Sequence, residues 1–287
     1  MNRADRARTA ALPAGAPKLT YADPEDPWLK VQLIRAIEVA TGRLKLERIY
    51  RALKRQPDRV DEFFSEALRL GRIDIDQDGL EAHRIPTDGP LVFIANHPFG
   101  LVDGLMLCDL AMRCRGQFQI LLNARLCKDD DLEPFFLPVD FNETRSALTT
   151  TIATKRAALE TLKANGTILI FPGGGIATAP LRGGRAEELP WTTFAAKLIS
   201  QARATVVPVY FHGQNSRLFH VASAMGETVR TAVLLFEARN KLGKRFRMTV
   251  GAPLPYESLS DYGGRAELTE FLYRQTLALE HTPPQAS

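Results

Sequence analysis

The sequence predicts an α/β fold: a mostly parallel central sheet flanked by helices, with an N-terminal helical segment before it. Three observations predict this. From residue 91 onward, short apolar runs alternate with helical patterns, the order expected of strands joined by crossover helices. The runs are continuous rather than alternating, as in strands covered on both faces. Over residues 28–72 the periodicity is helical.

Residues 1–27 are rich in Ala, Pro, Arg and Asp, lack apolar periodicity, and are expected to form a mobile tail. Residues 28–72 make the helical segment. A helix from Trp28 carries Leu33, Ile37, Ala40 and Leu44 on one face. After Gly42 the apolar set becomes Leu46, Ile49, Tyr50 and Leu53. At about 100° per residue this lies on another side, so a break is predicted near Thr41-Gly42. Arg48, Arg51, Lys54 and Arg55 cluster opposite that set. The pattern fits a membrane-surface helix or, equally, the solvated face of a helix packed on the core. Pro57-Asp58 opens a further helix bearing Val60, Phe63, Phe64, Ala67 and Leu68, stopped by Gly71.

Residues 73–287 are expected to form the α/β domain. Ile73, Ile75 and Leu80 support a short first strand. Further strands are predicted at 91–95, 118–122, 136–139, 167–171, 205–210, 231–236 and 246–250. Helices are predicted at 105–113, 146–164, 191–201 and 265–279. Pro208 lies inside a strand pattern, which implies an edge position or a bulge.

With 287 residues the chain is long enough for a sizeable core, and its ordinary composition excludes wholesale disorder. The net charge of +4 permits an anionic partner such as a lipid surface, and no nucleic-acid partner is expected. Cys108, Cys114 and Cys127 show neither metal-ligand spacing nor a disulfide framework, so reduced thiols in the cytoplasm are expected. No run of eighteen apolar residues predicts a membrane span, and no apolar core follows the N-terminal arginines to make a signal peptide.

The chain is organised around Leu91-Val92-Phe93-Ile94-Ala95-Asn96-His97-Pro98-Phe99-Gly100-Leu101-Val102-Asp103-Gly104. A buried strand ends at Asn96, Pro98 and Gly100 force a turn, and a helix follows with Asp103 near its start. Active sites of α/β sheets gather at such strand ends. This stretch resembles the glycerolipid acyltransferase family (lysophosphatidate acyltransferase-like), whose hallmark is Asn-His, a short spacer, then Asp. The usual spacer has four residues, whereas 98–102 makes five, a form associated with a bacterial branch linked to lysophospholipid and ornithine-lipid acylation.

Three later segments extend the resemblance over residues 91–255. Residues 117–141 match the second block, where Arg125 corresponds to a basic residue holding the acceptor's anionic head. Ile168 to Gly175 resembles the Phe-Pro-Glu-Gly block, with Gly173 where Glu is usual, and Arg182 and Arg185 follow. The backbone amides of such a loop can face a phosphate or a developing oxyanion. The loop lacks Gly-Lys-Ser/Thr and Gly-x-Gly-x-x-Gly, which argues against a nucleotide site. Val206-Val207-Pro208-Val209, followed by a polar loop with His212, matches the fourth block; no carboxylate stands at useful spacing from His212, so a structural role is expected there.

The resemblance implies acyl transfer from acyl-ACP or acyl-CoA, as co-substrate, to the hydroxyl of a lysolipid such as lysophosphatidate or a lyso-amino-acid lipid. In such a reaction His97 removes the hydroxyl proton and Asp103 orients its ring. Asn96, Phe99, Gly100, Arg125, Phe171, Pro172, Gly173, Gly174, Gly175, Arg182 and Arg185 are expected to line the substrate site. No bound cofactor and no metal are expected, and the protein is expected to work peripherally on the inner face of the membrane. A non-catalytic lipid-binding protein, or a lysolipid or thioester hydrolase, are the rival readings. With Gly173 in place of Glu, the head-group site is expected to lack one negative charge and to favour an anionic acceptor.

Overall fold

The computed structural model describes residues 27–54, 60–124, 130–139, 145–180 and 184–283. The expected tail, Arg55, Arg125, Cys127 and Arg182 lie outside these residues. Three helices come first: α1 (Trp28–Thr41), α2 (Arg43–Leu53) and α3 (Phe63–Gly71). The predicted break is at Gly42, whose φ of 111° lies outside helical space. Then follow β1 (Asp74–Gly79), β2 (Leu91–Ala95), α4 (Leu101–Arg115), β3 (Gln119–Asn123) and β4 (Phe136–Val139). The second half runs α5 (Arg145–Lys163), β5 (Thr167–Ile170), α6 (Phe194–Ala202), β6 (Thr205–Phe211), α7 (Arg217–Ala224), α8 (Glu227–Asn240), β7 (Arg245–Val250), α9 (Tyr256–Leu259) and α10 (Arg265–Ala278).

The seven strands form one sheet in the order β1-β7-β6-β2-β5-β3-β4. Every pairing is parallel except β6 with β7. β2 is the central strand and all five of its residues are buried. Its alternating side chains divide the core. Leu91, Phe93 and Ala95 pack with residues of α3 and α4 on one face. Val92 and Ile94 pack with residues of α5, α6 and α10 on the other. A strand covered on both faces has no solvent side to make polar, which is why it is legible as an unbroken apolar run.

Two expectations need correction. Residues 231–236 form the middle of α8, not a strand. Val233 packs against Phe219 and Ala222 of α7, whereas Leu235 and Ala238 pack against Leu46 of α2. A helix buried on two sides is apolar nearly all round, so its short branched run mimics a strand. Pro208 stands on a central strand, not an edge, paired with Ile94 of β2. The bulge is real: between Val209↔Val250 and the bridge Val206↔Leu254, residues 207–208 face 251–253. There the missing proline N–H costs no ladder bond, and the Pro208 carbonyl accepts from Gly251 N–H.

Candidate active site

The end of β2 delivers His97 onto a loop held by its own acid. Asp103, in the first turn of α4, is fully buried. Its Oδ2 accepts from Phe99 N–H at 2.8 Å and Gly100 N–H at 3.2 Å, and its Oδ1 accepts from Gly104 N–H at 2.8 Å. These bonds fold the five-residue spacer back on itself, so the extra residue is absorbed in the turn. Gly100 is required there: its φ is 93°, and a Cβ would meet Ile176 at 2.7 Å. The carboxylate also lies 3.2 Å from Nδ1 of His97, within ion-pair range though not aligned as a hydrogen bond. The imidazole stacks on Phe171 at 4.1 Å and keeps 17 % of its side chain exposed.

With Nδ1 against a carboxylate, the neutral ring carries its proton there and leaves the Nε2 lone pair for a substrate. Burial alone would lower the histidine's pKa. The charge of Asp103, its contact with the ring, and the charge of Glu188 outweigh burial and hold it above the ordinary value of 6.5. Glu188 was not found from sequence. Its Oε1 accepts from His97 N–H at 2.8 Å, while His97 O accepts from Ala177 N–H at 2.9 Å, so His97 is pinned through both backbone groups. Burial raises the Glu188 carboxyl, opposed first by its bond to the His97 backbone.

The glycine loop after β5 is shaped by this visitor. The chain leaves as Phe171 to Thr178, pairs Thr178 with Glu187, and returns over the glycines. A Cβ on Gly173 would meet Leu189 O at 3.1 Å and lie 3.6 Å from Glu188 Oε2, and one on Gly175 would meet Leu189 Cδ1 at 2.7 Å. The expected loss of a negative charge at Gly173 is therefore corrected: a carboxylate arrives there from fifteen residues downstream. Gly174 N–H closes a turn onto Phe171 O and is not open to an anion, and Pro172 O accepts from Thr192 N–H at 3.1 Å.

Other expected site residues make contacts within the fold. Asn96 bridges to β6, donating to Phe211 O at 3.0 Å and accepting from Phe211 N–H at 2.7 Å, which turns its amide toward the sheet. Phe99 is buried against Phe246, with the ammonium of Lys241 over its ring at 5.2 Å. Lys241 is itself buried, bonded to Glu237 at 2.8 Å and to Asn215, whose amide donates to Phe99 O at 3.4 Å. That network braces the His97–Asp103 loop from behind. Arg185 contacts the Tyr210 hydroxyl at 3.3 Å and pairs with Glu280, so part of its charge is compensated. His212, as expected, is structural, with Nε2 2.8 Å from Thr249 Oγ1.

A family model described as Acyltransferase matches residues 29–283. The chain belongs to the acyltransferase family. The match includes α1 to α3, which the sequence blocks had left outside. The acyltransferase is 29 % identical over 202 residues to a lyso-glycine lipid O-acyltransferase of Phocaeicola vulgatus, covering 68 % of this chain and 69 % of the relative. It is 28 % identical over 222 residues to a lyso-glycine lipid O-acyltransferase of Bacteroides thetaiotaomicron, covering 74 % and 77 %. Its fold resembles that of the 1-acyl-sn-glycerophosphate acyltransferase PlsC of Thermotoga maritima, with a TM-score of 0.53 at 15 % identity over 90 % of this chain and 95 % of that one.

Proposed function

We propose that this acyltransferase moves a fatty acyl chain from an acyl-ACP or acyl-CoA thioester to the hydroxyl of an anionic lysolipid, a lyso-amino-acid lipid or lysophosphatidate. The observation that carries this reading is the largely buried but still accessible His97 ring seated on a fully buried Asp103 at the end of β2. The acceptor oxygen attacks the thioester carbonyl while its proton passes to Nε2 of His97. The intermediate then collapses, the C–S bond breaks, and the departing thiolate takes that proton from the imidazolium. No serine or cysteine nucleophile is needed, since the acceptor hydroxyl plays that part. The names of the curated relatives favour a lyso-amino-acid acceptor, and the carboxylate head of such a lipid agrees with the basic residues expected around the loop.

Labelled acyl thioester incubated with a lysolipid panel tests this. A diacylated product is expected from anionic lysolipids and little from neutral monoacylglycerol. Free fatty acid alone would make the protein a hydrolase, and no turnover would make it a lipid binder.

We further propose that it acts at a membrane surface. Among the described residues no helix is long and apolar enough to cross a bilayer. The apolar side of α2 is occupied by the core, since Leu46 packs on Leu235 and Ala238. Attachment through α2 is then electrostatic, with Arg48 outward and Lys54 paired to Asp131. Changing Arg48, Arg51, Lys54 and Arg55 together to Gln is expected to release the protein from anionic vesicles. Each contributes about 1 kcal/mol at low salt. Thermal stability should fall only slightly, because the half-buried Lys54–Asp131 pair and the Arg51 bond to Glu47 O are peripheral contacts of small net worth. Unchanged vesicle sedimentation would refute the electrostatic attachment.

A further inference from the structure

We propose that Glu188 is a positioning residue for acyl transfer, fixing the His97 backbone and placing a second negative charge beside its ring. It rests on the acyl-transfer reading for its kinetic consequences, but not for its physical ones. Three observations carry it. Glu188 Oε1 takes the His97 N–H at 2.8 Å. Its other oxygen, Oε2, is fully shielded from solvent without an aligned partner, and the equally shielded Trp191 indole N–H stands beside the carboxylate. The return segment that brings it is registered by the Thr178↔Glu187 pair, and its neighbour Leu189 closes on Gly173 and Gly175.

An uncharged amide would accept the same backbone N–H without the cost of burying a charge. The charge is therefore the informative part. Asp103 on α4 acts on Nδ1, and Glu188 adds to it from the opposite segment. Around them stand Lys241 beyond α8, which feels Asp103, Tyr210 and Tyr273, which feel the charge of Glu188, and Arg185, which contacts Tyr210 and pairs with Glu280. The base so held is stronger than Asp103 alone would make it. The position of the carboxylate also explains how Gly173 is tolerated: the group a side chain at 173 would project arrives from residue 188 instead, 3.6 Å from where that Cβ would lie.

The test is a histidine NMR titration of the full chain, with the His97 signal assigned by its absence from His97→Gln. In Glu188→Gln, His97 is expected to titrate at lower pH than in the unmodified protein, because a charge that favours the imidazolium is gone. The acid limb of kcat/KM should move the same way, with KM for the thioester little changed. In Glu188→Ala, kcat should fall roughly threefold to tenfold, the effect of one net hydrogen bond. Adding Gly173→Glu to Glu188→Ala should return the His97 titration toward higher pH, while Gly173→Gln in that background should not. An unmoved His97 titration in folded Glu188→Gln overturns the proposal. Should that variant not fold, equal titrations in the two double variants overturn it. The titration reads His97 without turnover, so an unmodified protein that transfers nothing refutes the acyl-transfer reading and leaves this one to be judged separately.

Discussion

A His97→Ala protein is expected to fold like the unmodified one and to lose acyl transfer by roughly 10²–10⁴ in rate. The two halves of that expectation have separate causes. The loop is fixed by backbone groups, with His97 N–H on Glu188 and His97 O on Ala177 N–H, and alanine keeps both. Asp103 keeps its three N–H donors, so removing the ring does not strand a buried charge. The Nε2 lone pair, by contrast, has no substitute among the described groups: His212 is bonded to Thr249, and Nδ1 of His220 accepts from Ala179 N–H. The unmodified enzyme should also lose kcat/KM as pH falls. The free base is needed and its pKa lies above 6.5, so the inflection should fall above that of an ordinary histidine. Substantial transfer by folded His97→Ala, with acyl product measured directly, would remove His97 from the mechanism.

The loop geometry follows from local chemistry that the sequence displays. Leu91 to Ala95 is an unbroken apolar run because β2 is covered on both faces, and the turn residues after it leave only one place for His97 and Asp103 to meet. The helix pair broken at Gly42 was equally legible, from a phase shift in its apolar residues. What stayed hidden depends on tertiary contact. Residues 231–236 are apolar on two sides because α2 and α7 both pack on α8, and no local pattern separates that from a buried strand. Glu188 sits in an ordinary polar stretch before Pro190-Trp191. Only the pairing of Thr178 with Glu187 carries it to His97. The one available signal was the missing Glu at 173, which invited a search for a carboxylate elsewhere in the loop.

The contacts of Asn96 and Phe99 stayed hidden for a related reason. Both residues stand inside the motif, so they were expected to touch substrate, but a strand end must also be tied to its neighbour. Asn96 does this by mimicking a backbone pair with Phe211. Phe99 anchors the loop against Phe246 and the Lys241 network, whose buried ion pair is costly unless every partner is satisfied. In the proposed mechanism the chemical work of the motif falls to His97 and Asp103, and the residues between them build the turn.

Asp103→Asn is expected to cost transfer roughly 10²–10⁴ as well, and unlike His97→Ala it should also lower stability. One carboxylate here serves two tasks. As a loop staple it accepts three backbone N–H groups, at 2.8, 3.2 and 2.8 Å. An amide has one accepting oxygen. Whichever way it turns, its NH2 faces either Phe99 and Gly100 N–H or Gly104 N–H, donor against donor. Charged hydrogen bonds contribute about 1.5–3 kcal/mol each, so losing even one of them in a fully buried turn should be visible as a lower melting temperature. As the partner of His97 the carboxylate selects the Nδ1–H tautomer. With oxygen toward Gly104, the amide presents N–H to Nδ1, the ring proton moves to Nε2, and the atom that must accept the acceptor's proton already holds one, a fault that raising the pH cannot repair. With oxygen toward Phe99 and Gly100 the tautomer survives, but the negative charge that stabilises the imidazolium is gone. The two tasks separate experimentally at a temperature well below the variant's melting point, where the folded fraction is complete. If Asp103→Asn there retains more than about a tenth of the unmodified rate, against the tautomer penalty expected of such a pair, then Asp103 acts only as a staple for the turn. Transfer that stays low while circular dichroism is native-like assigns it to the ring of His97.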